Sequence, residues 1–446
     1  MCSSLNDLKS AYNTTQHSPM RSSLRALFKQ NSWAIITVLT GAMLEYYSYM
    51  LLASMISKSE FISFFFGPNT PSAQLFKGTL FFFIAALSRP LGALIFGFIG
   101  DRYGRKQALF CALVTMALSC FLIAALPGYA HIGCIAIAAL FIARVAQIMS
   151  ASGETNGAPI FLIEHFGITR SCLASGLAYF GTMVGSALAS FASSNFTNWR
   201  YAFLIGGLAG FVGLLIRINV LESDEFIQAN QKTNQQDSNK TTSIKNTHKF
   251  HNISAYIIVG LISAACSGGF YFIYIGIPAI CKQLGTHLAL AELTTTGTLF
   301  YAITLLIVGF IADYTSLFNI MRAGILGFIF SASTLLFAIC YYTQIDFVHY
   351  VSYFALVFSL GIFAAPSHSF MYRFFPPKSR YRAVSLSYSI ATATIGAGTP
   401  YMVKILTACM NTALAALLWI APVMLVAYAA LDKASKIWKA KVEHNS

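Results

Sequence analysis

The stretch Arg89–Lys106 reads RPLGALIFGFIGDRYGRK, an apolar helical run that ends in a tight, strongly cationic turn. An arginine opens the run, and Asp101, Arg102, Arg105 and Lys106 crowd around Gly104 at its end. An arginine deep in a membrane helix costs about 2.5–3.5 kcal/mol even on the lenient insertion scale. Arg89 therefore points to a wet or paired helix interior. Cations clustered at a helix end mark the cytoplasmic face.

The rest of the chain has the same character. Its 446 residues are 57% hydrophobic and 10% charged, with a mean hydropathy of +0.65. Soluble domains carry about 25% charged residues, so this composition belongs in a membrane. The net charge of +14 is spread over short segments between apolar runs. That is a topological pattern rather than a nucleic-acid patch, and no nucleic-acid partner is expected. The nine cysteines form no CxxC pair and have no metal-ligand spacing, so they read as small apolar packing residues. The first apolar run, from Trp33, is too long for a cleavable signal.

A spanning helix needs about 20 mostly apolar residues. Twelve segments qualify: 33–57, 75–100, 107–126, 132–155, 171–192, 200–220, 253–280, 293–312, 322–342, 348–370, 384–407 and 411–431. None alternates as barrel strands do, so the fold class is all-α, a polytopic membrane protein of twelve transmembrane helices. With both termini cytoplasmic, the outside segments and their margins hold only Lys58, Lys77, Arg200, Lys282 and Lys404; every other loop cation, Arg217 and Arg322 included, falls inside. The longest break, Glu222 to Asn252, is polar and reads as a cytoplasmic linker. The expected organisation is a tail 1–32, a six-helix bundle 33–220, the linker 221–252, a second bundle 253–431 and a tail 432–446. A faint repeat supports duplication: Gly97 and Asp101 before Arg105 are echoed by Gly309 and Asp313 before Arg322. The second copy has lost most of its cations.

Glu45, Arg89, Arg144 and Glu154 are the ionisable residues well inside predicted spans, and each should face the interior. Glu45 lies about 18 Å of helix rise above Trp33, and Arg144 also falls near mid-helix. A Glu45–Arg144 pair is expected, with Glu45 as a proton carrier or the pair as a static salt bridge. Glu154 reads either as a contact of the cytoplasmic gate or as a cap for loosely structured backbone in SASGETNGAP. Arg89 reads as an anchor for a carboxylate-bearing solute or for helix-end carbonyls. Tyr46, Tyr49, Tyr271 and Tyr274 offer aromatic faces to a cationic head group, or serve as packing anchors. Helix breakers Gly268, Gly269, Gly276 and Pro278, and Gly396, Gly398 and Pro400, should line the cavity or its gate. Gly176, Gly181 and Gly185 read as close-packing positions, and His368 as a packed neutral imidazole.

These residues resemble the major facilitator superfamily. Gly97, Asp101, Arg102, Gly104, Arg105 and Lys106 match its signature between helices two and three, and Arg144 with Gln147 resembles its helix-four motif. Within it the chain is similar to the metabolite:proton symporters, a group of proline/betaine, citrate, 2-oxoglutarate and shikimate carriers. TGAMLEYYSYM, SRPLGALIFG, ASGETNGA, LIEHF, ESDEF and FFPPKSRYRAVSLSYSIATATIGAGTP carry that likeness. It implies two six-helix bundles rocking about a central site in a bacterial inner membrane, and proton-coupled uptake of a small polar solute by a monomer. The Asp101–Arg105 loop would be a cytoplasmic latch, and Glu45, Arg144 and Glu154 would couple the proton. Two family positions differ: the helix-one aspartate is Ser48 and the asparagine after Gly41 is Ala42. A drug:proton antiporter would carry Gly-Pro on helix five, where GLAYFGTMVGSALASF has no proline. A non-transporting sensor would need a signalling domain that the soluble segments do not resemble. No nucleophile, metal or nucleotide motif points to an enzyme or a cofactor.

Overall fold

The structure, a computed structural model, describes residues 24–56, 58–67, 81, 84–228, 231, 253–285, 290–341 and 346–443. The start of the second expected span and most of the expected linker lie outside the described residues. Among the described residues all regular structure is helical. The first six spans are α1 (Ser32–Ile56), α2 (Arg89–Arg102), α3 (Arg105–Ala125), α4 (Cys134–Phe166), α5 (Ser171–Asn195) and α6 (Trp199–Ile218). Then follow α7 (Ile253–Leu284), α8 (Leu290–Ala312), α9 (Leu317–Tyr341), α10 (Asp346–Ala364), α11 (Arg380–Met410) and α12 (Leu417–Glu443).

Eleven of these are long and apolar enough to cross a membrane. The remaining one, α11, opens on Arg380, Arg382, Ser385, Ser387 and Ser389 and is broken by a π turn at Thr392–Gly396. Its first turns face protein rather than lipid, so a polar sequence is tolerated there. A second π turn, Phe272–Gly276, interrupts α7. Both lie in the glycine-bearing segments that the sequence marks as irregular. Outer faces carry exposed Leu91, Ile142, Phe191, Leu208 and Phe330, a surface suited to lipid.

Two helices outrun their expected ends. α4 continues to Phe166, so SASGETNGAP is regular buried helix and not loose backbone in need of a cap. α12 continues to Glu443, so the segment expected as a tail is largely helical. The small residues of α5 act as read: a Cβ on Gly176 would overlap the Leu305 carbonyl of α8, and one on Gly185 the Met43 carbonyl of α1. At one end of the bundle Phe61, Phe65, Trp199 and Phe203 form an aromatic cluster. The Asp101 loop lies at the other, here named the latch end.

Candidate solute cavity and latch

Helical periodicity brings the cavity residues together. Tyr46, Tyr49 and Met50 on α1 share one face, as do Tyr179 and Met183 on α5, Ser267, Phe270 and Tyr271 on α7, and Tyr388 and Thr392 on α11. With Arg89 and Tyr301 they line one recess, in which Arg89 is the charged group among the described residues. The space open to a water-sized sphere is about 30 Å³, room for about two waters. A solute therefore enters only if these rings part. Tyr49 and Tyr271 close the recess from opposite sides with a 2.8 Å hydroxyl–hydroxyl bond.

Tyr274 lies outside this cavity, against expectation. It falls within the π turn, whose wider pitch takes it off the Tyr271 face. Its hydroxyl donates to the Gly297 carbonyl at 3.3 Å, and its ring packs on Phe270 at 4.7 Å. His368 is buried and packed between the rings of Tyr179 and Tyr388.

The expected Glu45–Arg144 ion pair does not form. Thr155 donates to Glu45 Oε1 at 2.9 Å. That bond places Glu45 beside α4 eleven residues, or about 16 Å of rise, from Arg144. Because α4 continues to Phe166, Arg144 lies toward its start and not near its middle, so it does not lie level with Glu45. Arg144 instead donates to the Tyr49 carbonyl and to Gln147 Oε1, each at 3.4 Å. Its guanidinium lies 4.7 Å from the Tyr49 ring, and that of Arg89 lies 5.6 Å from the same ring.

The acid that does find an arginine is Glu154, ion-paired with Arg217. Arg217 is 1% exposed and also donates to the Leu109 carbonyl. A Cβ on Gly41 would overlap both partners of this pair, so the glycine of the helix-one motif makes its space. Glu45, Glu154 and Arg217 thus form one buried cluster between the cavity and the latch.

The latch itself joins four helices. Asp101 accepts the backbone N–H groups of Tyr381 and Arg382, both at 3.1 Å, capping the first turn of α11. Arg105 is fully buried. It donates to Glu164 at 3.1 Å, to the Gly100 carbonyl at 2.8 Å and to the Pro377 carbonyl at 2.6 Å, and lies 3.7 Å from Asp101. Gly97 and Gly100 let α11 approach α2: a Cβ on Gly97 would sit 2.6 Å from the Arg382 Cα. Gly104 adopts φ +116°, a conformation that favours glycine. Arg102 is exposed and stacks on Phe98 and Tyr103. Lys106 donates its N–H to Glu222 at 3.0 Å and its ammonium to the Ile218 carbonyl at 2.9 Å.

The segment after α6 takes part in this closure. Arg380 donates to Glu225 at 2.7 Å and pairs with Glu164 at 3.5 Å, while Tyr372 donates to the other Glu225 oxygen. Burial alone would push the Glu225 carboxyl up, but the Arg380 charge and the two side-chain bonds outweigh it and hold the carboxyl below its usual range. Asp313 repeats the Asp101 cap on α5, accepting from Cys172 N at 2.8 Å and Leu173 N at 3.1 Å. Burial outweighs those bonds and pushes its carboxyl up to about 6.

Sequence reasoning passed over Arg217, Glu164, Tyr381, Glu222 and Glu225. Arg217 closes an apolar run and reads as a topological cation. Glu164 and Glu222 lie in the quoted LIEHF and ESDEF strings, which were the available signal.

A bundle of membrane-length helices around a small polar recess, latched at one end, defines a multi-pass membrane carrier. The family model described as Major Facilitator Superfamily matches residues 32–399. The chain belongs to that superfamily of membrane transporters. The Inner membrane metabolite transport protein YhjE of Escherichia coli (strain K12) is 30% identical over 203 residues, 43% of this chain and 46% of that protein. The Proline/betaine transporter of Salmonella typhimurium is 34% identical over 184 residues, 39% of this chain and 37% of that protein. Both matches span less than half of the relative's length. A solved structure of the proton:xylose symporter XylE bound to 6-bromo-6-deoxy-D-glucose superposes with a TM-score of 0.72 at 16% identity. It covers 90% of this chain and 95% of that one, a likeness of fold.

Proposed function

We propose that the protein is a proton-coupled symporter that takes up a small carboxylate-bearing solute by alternating access, with the latch end facing the cytoplasm of a bacterial cell. The solute is a zwitterion of the proline/betaine type or an organic acid. One observation carries this reading: among the described residues the recess is lined by one cation, Arg89, and by tyrosine faces, and the buried acid Glu45 directly precedes the lining Tyr46 on α1. Arg89 would hold the carboxylate, and Tyr46, Tyr49 and Tyr271 would surround the rest, including any quaternary ammonium. The names of the relatives, metabolite transport and proline/betaine transport, point the same way.

Glu45 would carry the proton. Its Oε2 meets no donor among the described residues, whereas Glu154 is neutralised by Arg217. The bundles 33–220 and 253–431 would rock against each other, with both termini and the linker 221–252 on the cytoplasmic side. Arg144, stacked on Tyr49, would report solute binding to α4. Uptake of labelled proline, betaine and citric-cycle acids into proteoliposomes, under separate pH and sodium gradients, tests the reading. Arg89→Ala should abolish uptake of the carboxylate-bearing solute; unchanged uptake in that variant would overturn the assignment of Arg89.

A further inference from the structure

Tyr381, the second residue of α11, is fully buried, yet its side chain belongs to no part of the cavity. Its ring lies in a notch built from glycines on two other helices. A Cβ on Gly100 of α2 would sit 2.7 Å from the ring, and one on Gly157 of α4 would overlap the hydroxyl. That hydroxyl donates to the Gly153 carbonyl at 2.8 Å, one residue from Glu154. The charged groups around it are Glu154, Arg217, Arg105 and Asp101. The backbone N–H of the same residue is held by Asp101.

We propose that Tyr381 is the bolt of the latch, a positioning residue whose phenol seals the Glu45–Glu154–Arg217 cluster from water at the latch end until α11 withdraws. The proposal rests on the transport reading above and adds the gate for its proton. A single residue links two events. When Asp101 releases the first turn of α11, the phenol leaves the notch with it, because both are attached to one Cα. The vacated notch opens beside the Gly153 carbonyl, a polar group that can receive water. Water then reaches the cluster, the O–H bond of the protonated acid breaks, and the proton passes to that water and leaves a carboxylate. With the bolt seated, no such route exists and the proton stays with the solute side.

The notch explains why both glycines are needed. Alanine at Gly157 would occupy the place of the phenol hydroxyl, so Gly157→Ala ejects the bolt without touching Tyr381. Tyr381→Phe keeps the ring and removes only the bond to Gly153.

The test is modification of carboxyl groups in the full-length protein in proteoliposomes by a water-soluble carbodiimide with glycine ethyl ester, read residue by residue by peptide mass spectrometry. Tyr381→Ala and Gly157→Ala should each raise the modification rate of Glu154 about tenfold, equivalent to about 1.4 kcal/mol of latch closure. Tyr381→Phe should raise it less. The rate at Glu60, an exposed acid at the opposite end, should not change. An unchanged rate at Glu154 in both Tyr381→Ala and Gly157→Ala overturns the bolt. So does an equal rise at Glu154 and Glu60, which would make the notch merely structural. Because this readout needs no solute, failure of the transport assignment leaves it intact, and a seated bolt in a protein that moves no solute would separate the two.

Discussion

Asp101 and Asp313 stand at equivalent ends of α2 and α8, and each caps the first turn of a helix from the other half of the chain. Their surroundings differ. Asp101 is backed by a network of buried Arg105, Glu164 and Arg380 that ends at the part-exposed Glu225. Arg322, the counterpart of Arg105 in the sequence echo, turns away to Asp432 on α12 and is part-exposed. The second copy lacks most of the first copy's cations in sequence, yet its aspartate keeps both backbone bonds. Helix capping and charge networks are thus separable parts of a latch, and one copy has kept only the first.

That contrast can be broken in graded ways. The largest effect belongs to the buried ion pair. Arg217→Ala strands Glu154 in the interior and should cost about 3–5 kcal/mol, seen as a large fall in thermal unfolding temperature in detergent. Arg322→Ala, at the part-exposed pair, should cost only about 0.2–1 kcal/mol. Equal losses would contradict the buried placement of the Glu154–Arg217 pair.

Next come the caps. Asp101→Asn removes charge-assisted bonds worth about 1.5–3 kcal/mol and also the carboxylate charge 3.7 Å from Arg105. Asp313→Asn removes bonds of the same kind, but the nearby Arg373 keeps its hydrogen bonds to Ser171 and Ser369. Latch opening, followed by exchange of backbone amides in the first turns of α11 and α5, should increase more for Asp101→Asn. A larger increase for Asp313→Asn would invert the ranking.

The smallest effect is a pH dependence. Glu225 has a depressed carboxyl pKa when docked, so its contribution is present above its usual value near 4.5 and lost as pH falls through the docked value. The wild-type advantage over Glu225→Gln in unfolding temperature should therefore hold near neutral pH and shrink as pH falls below the usual value near 4.5. An advantage that grows on acidification would contradict the docked geometry.

Much of the fold was legible because hydropathy and charge asymmetry act segment by segment. The shared cavity face of Tyr46 and Tyr49 follows from helix periodicity alone, and the close contacts of Gly176 and Gly185 from their size. What failed depended on relations between helices. The Glu45–Arg144 pair needed the register of α1 against α4, which the unrecognised length of α4 displaced. Tyr274 was turned aside by a π turn that periodicity cannot anticipate. Arg217 looked like a boundary marker because a cation at the end of a span is ordinarily solvated, and only the space left by Gly41 reveals its burial. Tyr381 was hidden because three helices must meet before its notch exists.

The most direct test of the whole account is accumulation of labelled solute in proteoliposomes under an imposed inward pH gradient, compared between wild type and Glu45→Gln. The account predicts that wild type concentrates the solute, while Glu45→Gln inserts normally, exchanges solute passively at most and concentrates none. Equal accumulation by the two proteins would show that Glu45 does not carry the coupled proton.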